Sequence, residues 1–205
     1  MTGPTQNFWQ ARFDTMDLPW DRGSANTQLL QWIADGTIAP GSRIIVPGCG
    51  QGWEVAALAA AGMTTTGIDF APGALALCRH LLDTRKIDAH LVEANVLQWQ
   101  PGVPADYVFE QTCLCALYPD HWIAYARQLH RWLKPGGRLL AMFMQAPRPD
   151  SAQGVIEGPP YHCDINAMRA LFPEPQWAWP KPPYPQVLKT VGIGKLELAV
   201  VLQRT

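Results

Sequence analysis

The chain has 205 residues, 48 % of them hydrophobic, and a net charge of −1, enough for one well-buried α/β domain with little left over. No basic run offers the clustered positive face that nucleic acid needs, and no apolar stretch approaches the roughly 18–20 residues that span a bilayer. The polar N-terminus is no signal peptide, and five cysteines, an odd number without paired spacing, point to reduced thiols in the cytoplasm.

Residues 1–8 read as a loose tail. Phe8-Trp9-Gln10-Ala11-Arg12-Phe13 and Asp17-Leu18-Pro19-Trp20-Asp21-Arg22-Gly23 then gather aromatic and charged side chains ahead of any strand. Two readings stay open: a short amphipathic helix and loop packed on the domain, or an aromatic lid. An indole face stabilises a sulfonium cation by about 0.5–2 kcal/mol, more in a dry site. A helix is predicted over 29–35 and ended by Gly36.

Residues 43–46 form a β-branched run that breaks at Pro47 into Gly48, Gly50 and Gly52, and a helix over 54–61 follows, closed by Gly62. This reads as a strand entering a tight turn whose glycines let backbone approach a ligand closely. The second strand, 64–68, ends in Asp69, twenty-one positions after Gly48. An acid at that tip can accept both hydroxyls of a ribose, so the pair reads as a site for an adenosine-containing cofactor. Spacing decides which one. A dinucleotide fingerprint would put its third glycine at Trp53, which disfavours an NAD(P) oxidoreductase, and no Lys-Ser/Thr follows to make a P-loop. Gly-x-Gly-x-Gly with a downstream acid resembles motif I and the acidic loop of class I S-adenosylmethionine (SAM) methyltransferases. A glycine-rich turn with a surface Asp is the bland alternative.

Pro72 opens a helix over 73–83 with Leu75, Cys78, Leu81 and Leu82 on one stripe. Strand three is placed at 90–93. Asn95 and Val96 after it can bracket an adenine ring, or make an ordinary turn. Strand four, 106–109, runs into Glu110-Gln111-Thr112. Polar residues at the tip of a buried parallel strand are hard to justify structurally, so Glu110 and Gln111 are expected to face cofactor or substrate. Cys113 and Cys115 lack further Cys or His at metal spacing and read as buried small hydrophobes, with no metal expected. A helix over 120–133 is stopped by Lys134-Pro135-Gly136-Gly137, and strand five is 138–144.

Residues 145–162 are rich in proline and glycine and leave the carboxyl end of strand five, so 146–162 reads as one wall of the substrate pocket. Arg148, Asp150 and Glu157 in it leave the acceptor's charge open. His162 and Asp14 are candidate bases, each with an ordinary structural role as the alternative. Asp164 can cap a helix over 165–172; strands follow at 177–179 and 196–204, the last an edge or antiparallel strand. The alternation predicts one doubly wound, Rossmann-like, mostly parallel sheet with an antiparallel last strand and helices on both faces. It divides into an N-terminal lid and helix (1–35), a cofactor core (43–145), the pocket loop (146–162) and C-terminal helix and strands (163–205).

In order and spacing, FWQARF, LPWDRG, VPGCGQGWEV, TGIDFAPGAL, FEQTCLCALYP, KPGGRL and GPPYH resemble the thiopurine S-methyltransferase superfamily. The likeness is greatest to the branch of plant halide/thiol methyltransferases and their bacterial relatives, over about residues 8–175. It implies methyl transfer from SAM to a small soft nucleophile, a thiol first, leaving S-adenosylhomocysteine. It also implies that Trp9, Phe13 and Trp20 close over the cofactor and that Gly48, Cys49, Gly50 and Gly52 line its methionine end. Asp69 with Phe70 would take the ribose, and Asn95 and Val96 would frame the adenine. Gln111 lies where the plant branch has a Tyr touching the cofactor, Phe13 replaces a Trp and Asn95 a common Asp; the first two changes put halide activity in question. The partner is then a small-molecule acceptor, with no nucleic acid or membrane, and a monomer is the default. The alternatives are an O- or N-methyltransferase and a non-catalytic SAM-binding protein.

Overall fold

The computed structural model describes residues 3–147, 149, 155–188 and 196–205. Thr5 opens α1 (Gln6–Asp14), its Oγ1 accepting the Phe8 amide at 3.3 Å, so the expected tail is helical from Gln6 onward. Asn26 caps α2 (Thr27–Ala34), its Oδ1 accepting from Gln28 at 2.8 Å and Leu29 at 3.3 Å. β1 (Arg43–Pro47) ends in the glycine turn, from which α3 (Trp53–Ala60) starts, and β2 (Thr64–Asp69) follows. α4 (Pro72–Arg85) carries Pro72 in its first turn, where a missing N–H breaks no helical bond. Then come β3 (His90–Glu93), β4 (Ala105–Gln111), α5 (Trp122–Trp132), β5 (Leu133–Gln145), α6 (Ile165–Leu171), β6 (Trp177–Ala178), β7 (Gln186–Leu188) and β8 (Leu196–Arg204). Asp164 caps α6 as its position predicts, accepting from Asn166 and Ala167.

One sheet has the order β3-β2-β1-β4-β5-β8-β6, with β7 on β8. β1 to β5 pair in parallel, and β8 runs antiparallel to β5, β6 and β7. This is the doubly wound α/β fold that the alternation of elements implies. Val108 and Phe109 point to opposite faces, as neighbours on a strand must. The first joins a core with Tyr125, Leu129, Trp132, Phe143 and Phe172; the second joins Leu29, Trp32, Val46, Val55 and Leu58.

Three local expectations are corrected. Lys134-Pro135-Gly136-Gly137 ends α5 but is also a bulge inside β5, where pairing jumps from Ala105↔Leu133 to Tyr107↔Arg138 and Gly136 takes φ +76°. Pro119–His121 form a short 3-10 turn, so α5 begins at Trp122. β7 was hidden by Pro180, Pro182, Pro183 and Pro185, which break the apolar pattern; it pairs with β8 as a short outer strand, and the Pro185 carbonyl accepts from Ala199 at 2.8 Å. Among the described residues no helix is long and apolar enough to cross a membrane.

Candidate active site

Strand order reverses between β1 and β4, and in open α/β sheets the crevice off the carboxyl ends at such a point takes ligands. Gly48, Gly50 and Gly52 line it at φ +58°, +52° and +83°, a left-handed run that side chains would strain. A Cβ on Gly48 would lie 3.1 Å from Cys113 Sγ, so turn and β4 end are in contact. The Cys49 amide donates to the Ile68 carbonyl at 3.0 Å, and the Gly50 amide to Asp69 Oδ2 at 3.0 Å. Asp69 Oδ1 accepts from Ala71 at 3.0 Å. Burial pushes the Asp69 carboxyl up, and the amides of Ala71, Gly50 and Phe70 hold it back. The acid therefore clamps the turn to the second strand while each oxygen keeps acceptor capacity for a ligand.

A Cβ on Gly50 would meet Phe13 Cζ at 4.0 Å and nothing nearer among the described residues, which leaves a slot between turn and lid. Gln51 Nε2, in the same turn, is buried with no hydrogen-bond partner among the described residues. An acidic strand tip, an open backbone slot and an orphaned amide donor fit a cofactor carrying sugar hydroxyls at one end and a carboxylate at the other.

The aromatic N-terminal stretch packs beside that slot, Phe13 reaching its edge. Gln6 Nε2 donates to the Phe70 carbonyl, and Gln10 Oε1 accepts from Gly73 at 2.9 Å. Phe13 is buried against Ala71 and Ala74, while Trp20 lies edge-on to Trp9 at 5.4 Å and to Phe13 at 5.9 Å. Asp14 is exposed and accepts from Gln10 Nε2 at 2.6 Å, steadying the residue that grips α4. Trp53 Nε1 donates to Asp21 Oδ1 at 2.9 Å. The indole that spoils a dinucleotide turn thus moors the chain that follows the lid.

Beyond β3, Asn95 Oδ1 accepts from Leu97 at 2.9 Å in a side-chain-closed turn, and Val96 is buried in the core. At the tip of β4 the two polar residues part. Glu110, 2 % exposed, faces Cys113, Tyr125 and Cys163 and accepts the Leu114 amide at 2.6 Å. Burial pushes its carboxyl up to about 7, against the amides of Leu114 and Cys113. Gln111 turns to the other face and donates to Glu197 at 3.2 and 3.0 Å. Glu197 also accepts Arg22 Nη2 at 2.6 Å. All five cysteines are buried and outside any disulfide, Cys113 and Cys115 among them, and burial raises the Cys113 thiol.

His162 Nδ1 accepts the Ala146 amide at 3.1 Å, which leaves its proton on Nε2 and pins both ends of the pocket loop together. Tyr161 and Cys163 donate to the carbonyls of Cys115 and Met144 at 2.7 and 2.8 Å, holding the loop's far end on the sheet. Glu157 is exposed; Arg148 and Asp150 lie outside the described residues. A groove of about 580 Å³ opens at the opposite, amino ends of the strands, but its Lys134 and Asp106 are paired to each other at 2.5 Å. Asp21, Arg22 and Glu54 lie within LPWDRG and VPGCGQGWEV with no role read for them there, and Glu197 lies outside every motif.

Sheet order, glycine turn and acid-tipped second strand define a class I SAM-dependent methyltransferase. Two solved structures share the frame. Magnesium protoporphyrin IX methyltransferase from Synechocystis PCC 6803, with bound S-adenosylhomocysteine, aligns at a TM-score of 0.73 and 14 % identity over 98 % of this chain and 99 % of that one. The 1,6-didemethyltoxoflavin-N1-methyltransferase of Burkholderia thailandensis, also with bound S-adenosylhomocysteine, aligns at 0.70 and 15 % over 100 % and 92 %. The profile of the thiopurine S-methyltransferase (TPMT) family matches residues 4–190, and the chain belongs to that family. Thiocyanate methyltransferase 1 of Arabidopsis thaliana is 30 % identical over 80 % of this chain and 70 % of its own length. Thiopurine S-methyltransferase of Pseudomonas putida (strain GB-1) is 26 % identical over 75 % and 76 %.

Proposed function

We propose that this enzyme transfers the methyl group of SAM to the sulfur of a small thiol, as a cytoplasmic monomer. The observation that supports the reading is Phe13, which reaches to 4.0 Å from a Cβ on Gly50 and packs with Trp9 and Trp20 against Ala71 and Ala74. Indole faces there favour a sulfonium over the neutral sulfide of the product. Two relatives, named for thiocyanate and for thiopurine S-methylation, add sulfur acceptors to the same side of the balance.

In this reading Asp69 accepts from the ribose hydroxyls, with Phe70, Asn95 and Val96 around the adenosine. Gly48, Cys49, Gly50 and Gly52 offer backbone to the methionine end, and the Gln51 amide offers an unused donor. Glu110, Gln111, His162 and the described ends of the 146–162 loop bound the acceptor side. SAM supplies a methyl group already activated on sulfur, so what the chain adds is alignment and a dry cleft. A thiol with a pKa near 8.5 ionises enough near neutrality that no dedicated base is required. His162, whose Nδ1 is occupied by Ala146, is a donor in this arrangement.

The test is an acceptor panel of aliphatic thiols, aromatic thiols, thiopurines, hydrogen sulfide, iodide, tellurite, phenols and amines, scored by S-adenosylhomocysteine release and by mass of the product. Methyl thioethers are expected. Turnover confined to phenols or amines contradicts the reading, as does SAM binding with no turnover at all.

A further inference from the structure

Arg22 and Glu197 stand 175 positions apart, yet their side chains meet at 2.6 Å with exposures of 11 % and 0 %. Glu197 lies opposite Met144 near the carboxyl end of β5, and Gln111, opposite Met142, fastens the same carboxylate from β4. The ion pair therefore sits at the carboxyl edge of the sheet, beside the crevice and just past the lid. Two further carboxyl groups act on it: Glu54, which accepts the Asn26 amide at 3.0 Å, and Glu110 on the other face of β4.

We propose that Arg22, Glu197 and Gln111 set acceptor selectivity: the guanidinium at the crevice is already neutralised, so the site takes uncharged thiols in preference to inorganic anions. This rests on the methyl-transfer reading above. Both acceptor classes meet the cofactor's sulfonium, but an anion such as iodide or thiocyanate must shed water to enter and finds no second, unpaired cation among the described residues of this wall. Here the guanidinium is held at 2.6 Å by the fully buried Glu197, and it also acts on the buried Glu54. A thiol can enter with its proton. In the cleft it gives that proton to water; the sulfur's electron pair then forms the bond to the methyl carbon, and the old carbon–sulfur bond leaves its pair on the cofactor's sulfur.

The test measures kcat/KM for ethanethiol, iodide and thiocyanate in the wild type, Glu197→Gln, and Glu197→Gln combined with Arg22→Gln. The wild type is expected to favour ethanethiol at least tenfold over either anion. Glu197→Gln, which releases the guanidinium, should move that ratio at least tenfold toward the anions, and the double variant should lose the gain. A wild type that prefers an anion overturns the proposal, as does an unchanged ratio in a Glu197→Gln protein whose tryptophan emission still responds to SAM. Should that variant not fold, the wild-type ratio alone decides. Turnover with neither class, with SAM still bound, instead contradicts the methyl-transfer reading.

Discussion

The two halves of the crevice are built by different means. On the β1–β2 side, neighbours in sequence do the work: Gly48, Gly50 and Asp69 lie within one strand–turn–helix–strand unit, joined by backbone amides onto a single carboxylate. On the β4–β8 side, Arg22, Gln111 and Glu197 come from three remote segments and are joined by buried charge. In the proposed reading, local construction makes a cofactor site that many acceptors can share. Long-range construction makes a wall that can change with the acceptor while the fold stays the same. Losing a member should therefore hurt stability on the second side and cofactor affinity on the first.

The sharpest way to break that contrast is Glu197→Ala. It strands a guanidinium in an almost fully buried site, and about 3–5 kcal/mol of stability should be lost by urea denaturation. A loss below 1 kcal/mol would mean that the pair is solvated and that the long-range wall is not held by charge. Glu110 gives the next largest effect, through pH. Its folded carboxyl lies at about 7, above its value of 4.5 in the absence of the fold. The native state therefore holds the proton longer, and the contribution of Glu110 to stability is greatest below the ordinary carboxylate range and declines as pH rises to about 7. Over that window Glu110 accounts for about 3 kcal/mol, at 1.36 kcal/mol per unit. Glu110→Gln should flatten the fall between pH 5 and pH 8 by that order, and an unaltered profile would place the titration elsewhere.

On the local side, Asp69→Ala should weaken SAM binding by about 1.5–3 kcal/mol in calorimetry, the range for hydrogen bonds to a charged group. Equal affinity would show that the ribose is held by other groups. The smallest effect is expected from Trp53→Phe, which removes the bond to Asp21 and should cost about 1 kcal/mol in thermal unfolding. Its diagnostic signature is a weaker SAM response in tryptophan emission from Trp9 and Trp20; an intact response would show that the roof stays in place without this mooring.

The same contrast explains what could be read from the chain. The β1 turn and Asp69 were legible because strand period, glycine spacing and acid position all fall within 27 residues, 43–69. Trp53 was read for what it forbids, and its bond to Asp21 left no trace because the two lie 32 positions apart. Glu197 had one faint sign: an acid inside an otherwise apolar strand, on the face shared with Ala199. Its partner could not be guessed, since nothing local says which cation crosses 175 positions to meet it. Glu110 and Gln111 were singled out together as ligand-facing, yet successive strand residues must part, and only the fold shows which face each one takes.

The most direct test is a crystal structure with S-adenosylhomocysteine bound. The account predicts ribose hydroxyls within hydrogen-bond reach of Asp69 and the cofactor's sulfur under Trp9 and Trp20, opening toward Gln111. Cofactor found in the groove at the amino ends of the strands, or a ribose that leaves Asp69 untouched, would contradict it.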